Sequence, residues 1–202
     1  MTAPQATSVS LGGIVLSGGA GRRLGRPKAG VVLEGRTLVE RAVETLRPHC
    51  RAVLVVSRPE VELPSLDAAV CFDRPGPDAP LNALATGLAA LDTADALVLA
   101  CDLPSAQPVV DRLALAPTGA AAVARDRSSR RWQPLCARYP RVAALEACER
   151  LLASGEVRLL PLIEALGPRA VDATTDELAN VNSPDDLARV TAFIRRAGPG
   201  GC

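Results

Sequence analysis

Aromatic side chains make up only 2% of this 202-residue chain. Proteins that hold single-stranded nucleic acid stack its bases on a series of rings, so the sequence points away from that class. The formal net charge is +1, which leaves no global field to draw a nucleic acid or an anionic lipid surface. There is a single histidine, His49, and the six cysteines (Cys50, Cys71, Cys101, Cys136, Cys148, Cys202) form no CxxC pair. Structural zinc needs closely spaced Cys and His ligands, so no such site is expected. No stretch approaches the ~20 apolar residues of a membrane span. The opening "MTAPQATSVS" has neither the charged start nor the apolar core of a secretory leader. A cytoplasmic protein with reduced thiols is the expectation.

What is present is 48% hydrophobic residues, enough for one domain with a sizeable core. Residues 12–16, 52–56, 68–72, 96–100 and 120–124 are short, continuous apolar runs. Such runs suit strands buried on both faces of a parallel sheet. Helical patterns fall between and after them. Thr37 with Glu40 forms a capping box ahead of a helix that stops at Pro48. Further helices are expected from Pro80, from Gln107, over 141–155 ending at Gly155, around 159–166, and from Ser183-Pro184. Alternating strands and helices imply an α/β fold, a single-domain doubly wound and mostly parallel sheet. The domain is expected over residues 11–196, between disordered ends at 1–10 and 197–202.

The stretch "IVLSGGAGRRLGRPKAG" (Ile14–Gly30) leaves the first expected strand at its carboxyl end, where open α/β sheets bind ligands. Glycines let backbone N–H groups converge on an anion, and Arg and Lys add charge-assisted hydrogen bonds. Together they indicate a polyphosphate. The P-loop pattern fails because Arg26-Pro27 precede Lys28 and no Ser or Thr follows. The dinucleotide fingerprint fails because its third glycine is Leu24.

A third pattern fits. LxGGxxxR[ML]GxxK, read from Leu16 to Lys28, resembles the signature loop of nucleotidyltransferases that load an NTP onto a phosphorylated acceptor. The double glycine most resembles the molybdenum cofactor guanylyltransferases. The resemblance runs from Gly13 to about Val190 and implies a Rossmann-like nucleotidyltransferase fold. It implies nucleotide contacts from Leu16, Ser17, Gly18, Gly19, Gly25 and Lys28, with Arg23 and Lys28 catalytic through the β- and γ-phosphates. Asp102, in a Cys-Asp-Leu-Pro turn, reads from position alone either as a Mg²⁺ ligand or as a helix cap; the resemblance implies the magnesium role. Cys101 beside it reads as a core residue rather than a nucleophile.

Asp73 matches an aspartate that helps hold the nucleotide, although Asp78-Ala79 separate Gly76-Pro77 from Pro80-Leu81 and Asn82 stands where a small residue is expected. Ser57 stands where the family often has an asparagine that touches nucleotide. Asn180 and Asn182, in "NVNSPDDL", match a pair associated with the acceptor side of the cleft; an Asx turn ahead of a capped helix explains them equally. Arg125, Arg127, Arg130 and Arg131 precede Trp132 in a basic loop that either meets an anionic acceptor or is simply solvated.

The function implied is transfer of GMP from Mg-GTP to the terminal phosphate of molybdopterin, with Mg²⁺ as cofactor. The family also implies handover from a molybdenum insertase and towards molybdoenzyme chaperones. Alternatives are a related enzyme that uses CTP or another phosphorylated acceptor, and a catalytically silent nucleotide-binding carrier.

Overall fold

A computed structural model describes residues 11–18 and 21–197. Of the expected ends at 1–10 and 197–202, residues 1–10 and 198–202 lie outside the described residues, as does Gly19 of the signature loop. The strands are β1 (Leu11–Leu16), β2 (Val32–Leu33), β3 (Arg36–Thr37), β4 (Ala52–Ser57), β5 (Ala69–Phe72), β6 (Asp95–Ala100), β7 (Ala122–Asp126), β8 (Trp132–Pro140) and β9 (Arg169–Ala173). The helices are α1 (Leu38–Leu46), α2 (Pro80–Ala90), α3 (Gln107–Ala114), α4 (Arg141–Ala153), α5 (Leu160–Leu166) and α6 (Pro184–Ala197). Strands β2 and β3 form a small hairpin, and the other seven make one sheet in the order β5-β4-β1-β6-β8-β7-β9.

The apolar runs of β1, β4, β6 and β7 behave as double-sided strands. The run at 68–72 instead forms the edge strand β5, with Val70 43% and Phe72 53% exposed because only one neighbour and no second helical layer covers it. Val15, Val53, Val55, Leu97 and Leu99 turn to one face, under Val39, Val43 and Leu46 of α1 and Val109, Val110 and Leu113 of α3. Ile14, Leu16, Leu54, Val56 and Val98 turn to the other, under Leu81, Leu84 and Leu88 of α2 and Ala144 and Cys148 of α4. Alternate residues of a strand face opposite sides, so an unbroken apolar run is what two helical layers require. A third cluster joins Val31, Leu33 and Leu38 to Val181 and Val190. It fastens the hairpin that follows the signature loop to α6.

The capping box at Thr37 and Glu40 forms in both directions. The sheet holds strands that the apolar runs did not announce. β8 runs antiparallel between β6 and β7, and β9 pairs with β7 in parallel. β8 escapes the apolar signature because it carries Pro134 and Arg138. Arg138 is only 3% exposed and donates to Asp95 from Nε at 3.0 Å and Nη2 at 2.6 Å. Its Nη1 donates to the carbonyls of Ala114 and Ala116 at the end of α3. β9 is short and half-exposed, so its composition resembles a loop.

Candidate active site

The chain moves from β1 to β4 and β5 on one side, then returns to place β6 on the other. That reversal opens a crevice between the carboxyl ends of β1 and β6, the position at which doubly wound sheets bind ligands. Backbone hydrogen bonds draw distant segments to it. Ser17 N–H donates to Val56 O, Cys101 N–H to Leu16 O, Asp73 N–H to Ser57 O, and Val181 N–H to Asp102 O, at 2.9–3.0 Å. The signature loop, the Asp102 turn, the Asp73 segment and the Asn180–Asn182 segment thereby meet at one edge.

A cavity of about 540 Å³ opens there, bordered by Leu16, Gly18, Lys28, Arg58, Asp73 and Asp102 among others. Gly21 shapes the loop that walls it. Its φ of 56° is left-handed, and a Cβ there would sit 1.9 Å from the carbonyl oxygen of Arg26, so only glycine closes the bend. Lys28 Nζ donates to Asp102 Oδ2 at 2.6 Å and also to Asn182 Oδ1. Asn180 Nδ2 donates to the same Asp102 oxygen at 3.4 Å, and Asn180 Oδ1 accepts from Gln133 Nε2 at 3.3 Å. Asp102 Oδ1 is buried and has no hydrogen-bond partner. Burial, reinforced by the Asp102 charge and partly offset by Lys28, raises the Cys101 thiol far above its ordinary range, so Cys101 supplies no thiolate and packs in the core.

Several expected site residues stand elsewhere. Arg23 lies on a short 3-10 turn, exposed and outside the cavity lining, and Gly25 ends that turn with φ 67°. Ser57 is buried with an unpartnered hydroxyl and does not line the cavity, because its place on β4 turns the side chain into the protein. Asn182 is likewise outside the lining and touches Lys28 instead. It borders a second cavity, also about 540 Å³, which shares Gln133 and Asn180 with the first. The basic segment is a β7–β8 hairpin, not a loose loop. Arg125 pairs with Asp172 at 3.0 Å and lies 5.2 Å over the Trp132 ring. Arg130 is 3.9 Å from Asp172, Arg127 N–H donates to Ala173 O, and Arg131 lines the second cavity.

Residues outside the expected set also border the main cavity, among them Arg58, Asp78, Gln133 and Leu135. Arg58 Nη2 donates to Asp78, and Arg58 Nε lies 3.8 Å from Asp73 Oδ2. Burial raises the Asp73 carboxyl above its ordinary value, opposed by Arg58 and reinforced by Glu60. Gln133 and Leu135 enter through an irregularity in β7–β8 pairing, where Val123 opposes Ala137 but Ala124 opposes Gln133. Pro134 lacks an N–H for the ladder, and bulges of this kind redirect side chains; the Gln-Pro-Leu run was its only signal. The Pro-Leu pair that opens α2 is Pro80-Leu81, which leaves Gly76-Pro77 in the preceding loop. Asn82 holds that loop by donating to Arg74 O at 3.0 Å and accepting from Arg74 Nε at 3.2 Å.

Among the described residues no three His, Cys, Asp or Glu side chains gather as a metal cluster, and no helix is long and apolar enough to cross a membrane. Residues 13–170 match the family model of the MobA-like NTP transferase domain. The chain is 37% identical to a probable molybdenum cofactor guanylyltransferase of Chloroflexus aggregans, over 91% of this chain and 95% of that one. It is 36% identical to the molybdenum cofactor guanylyltransferase of Rhodobacter capsulatus, over 94% and 99%. The fold matches molybdopterin-guanine dinucleotide biosynthesis protein A from Archaeoglobus fulgidus, with TM-score 0.69, 23% identity and 92% and 99% of the two chains covered. It also matches 2-C-methyl-D-erythritol 4-phosphate cytidylyltransferase from Thermus thermophilus, with TM-score 0.70, 22% identity and coverage of 93% and 98%. On the strength of the family model and these sequence relatives, the chain belongs to the molybdenum cofactor guanylyltransferase family of MobA-like nucleotidyltransferases.

Proposed function

We propose that this enzyme transfers GMP from GTP to the terminal phosphate of molybdopterin, releasing pyrophosphate and forming a guanine dinucleotide cofactor. The observation that carries the reading is the Lys28–Asp102 pair across the β1–β6 crevice, with the second Asp102 oxygen buried, unpartnered and bordering the cavity. Mg²⁺ is commonly held by one or two carboxylates together with substrate phosphates. Asp102 Oδ1 is the oxygen that would hold it here, and the triphosphate would supply further ligands. Bound there, Mg²⁺ would neutralise charge on the triphosphate and on the departing pyrophosphate.

The chain's own residues do the positioning. Lys28 holds phosphate oxygens as a point charge, and Asn182 fixes the ammonium group. Leu16, Ser17, Gly18 and Gly19 are the loop residues assigned to the nucleotide, with Leu16 and Gly18 bordering the cavity, and Gly25 lets the loop fold back towards it. Arg23, exposed before substrate binds, folds onto the β- and γ-phosphates. Asp73 holds the nucleoside, and Ser57 supports Asp73 through its carbonyl. The second cavity, joined to the first through Gln133 and Asn180, takes the acceptor. A phosphate monoester has a second pKa of ~6, so the attacking oxygen is already anionic at neutral pH. No general base is required, and His49 pairs instead with Asp111 at 2.8 Å, outside both cavities.

The family setting also suggests a cytoplasmic reaction, with molybdopterin received from an insertase and the product passed to molybdoenzyme chaperones. The test is to incubate the protein with each NTP, Mg²⁺ and molybdopterin and identify the product by mass. Guanine dinucleotide from GTP supports the reading. A different dinucleotide, or none, refutes it.

A further inference from the structure

The two fold neighbours described above are named for guanine and for cytidylyl chemistry, so the shared sheet does not itself choose a base. We propose that Arg58 selects guanine by donating a hydrogen bond to O6, with Asp78 as the residue that positions it. This rests on the nucleotide reading of the same cavity given under Proposed function.

The cavity has two chemically different ends. Lys28 and Asp102 stand at the β1–β6 crevice, whereas Arg58 follows β4, Asp73 follows β5, and Asp78 lies in the loop before α2. In the order β5-β4-β1-β6, with strand spacings of ~4.8 Å, the end of β4 at Arg58 lies about 10 Å from the end of β6 at Asp102, and the end of β5 at Asp73 about 14 Å. That is the scale of a nucleoside triphosphate laid along the sheet edge. Charge sets its direction. Arg58 with Asp73 and Asp78 carries a net negative charge when both acids are ionised, which repels phosphates, while the crevice end adjoins the arginine-rich loop. The base therefore lies at the Arg58 end.

The hydrogen-bonding pattern there is specific. Arg58 Nη2 is committed to Asp78 and Nε faces Asp73, while Nη1 has no partner among the described residues. Asp73 Oδ1 is buried and also unpartnered. The side chain is braced along the signature loop, since a Cβ on Gly18 would lie 3.5 Å from Arg58 Nε. Arg58 and Asp73, whose Nε and Oδ2 lie 3.8 Å apart, thus leave one donor and one acceptor unengaged. Guanine presents the complement, the O6 acceptor next to the N1–H donor, as the smaller uracil does with O4 next to N3–H, so the pair selects oxo bases over amino bases. Adenine and cytosine reverse it, with an amino donor next to a ring-nitrogen acceptor, so the guanidinium would meet an amino group.

The experiment is calorimetric binding of GTP, ITP, ATP and CTP, each with Mg²⁺, to the full chain and to Arg58→Ala and Asp78→Asn. Inosine keeps O6 and lacks the 2-amino group. Arg58→Ala is expected to weaken GTP and ITP alike by ~10–100-fold, the scale of one good base contact, and to leave ATP and CTP unchanged. Asp78→Asn, at an exposed position that folding tolerates, is expected to show the same pattern with a smaller loss. Equal weakening of all four nucleotides would make Arg58 a phosphate contact and overturn the proposal. So would unchanged GTP and ITP binding in both variants. If the unaltered chain binds none of the four, the nucleotide reading itself fails and the proposal falls with it.

Discussion

The Lys28–Asp102 pair allows a prediction with a worked magnitude. The charges are 2.6 Å apart, and their side chains are only 16% and 13% exposed. With an effective dielectric of about 20, the gross attraction is about 6 kcal/mol. Removing both groups from water offsets much of this, so the pair contributes little net stability. On the function proposed above, its importance would lie in holding the cation where a phosphate oxygen arrives. A positioned cation in phosphoryl transfer is worth ~10³-fold or more in rate, and ~10³-fold is about 4 kcal/mol of barrier. Lys28→Ala and Asp102→Asn are each expected to lower kcat/KM for pyrophosphate release from GTP and molybdopterin by ~10³-fold, with native circular dichroism. Because the two groups touch, the double variant should fall by ~10³–10⁴-fold rather than the ~10⁶-fold of independent sites. Wild-type rates in either single variant, or full multiplication in the double, would refute the reasoning.

Three other perturbations test separate parts of the structure. Arg138→Met strands the Asp95 carboxylate in the core and is expected to cost ~3–5 kcal/mol, read as a melting temperature lower by ~6–20 °C; an unchanged melt would contradict the burial argument. Gly21→Ala forces a Cβ against the Arg26 carbonyl and should lower GTP turnover at least ~10-fold through misplaced loop groups, whereas Gly25→Ala, with open space around it, carries only the left-handed penalty of ~1–2 kcal/mol. Steady-state kinetics on both variants separates the two effects. Burial raises the Asp73 carboxyl above its ordinary 3.8, so the folded state binds that proton more readily than the unfolded chain. Native stability from this group therefore falls as pH rises from 3.8 through the raised value. Asp73→Asn should gain stability relative to the parent across that window while binding GTP more weakly. Thermal melts from pH 4 upward check it, and parallel curves at every pH would refute it.

Local signals in the sequence carry through to the fold. A continuous apolar run, a capping box or a glycine forced to positive φ depends on near neighbours, so β1, β4, β6, α1 and the bend at Gly21 were legible as strand, helix or loop. Local signal failed at β8, where Arg138 and Pro134 mask a buried strand. Arg138 becomes acceptable in the core only because Asp95, 43 residues away, meets it. Ser57 stands outside the cavity lining for a related reason. Its position in sequence matched the expected nucleotide contact, but side-chain alternation along β4 turned it inward.

The sequence alone determined that a glycine-rich, cationic bend follows a buried strand, because conformational freedom and charge belong to the residues themselves. Only the tertiary structure decided which groups that bend would meet. Lys28 reaches Asp102 and Asn182 across separations of 74 and 154 residues, and Arg58 reaches Asp78 across a loop and a strand. Those meetings follow from strand order and from the hydrogen bonds that tie four segments to one sheet edge, interactions that exist only once the chain has folded.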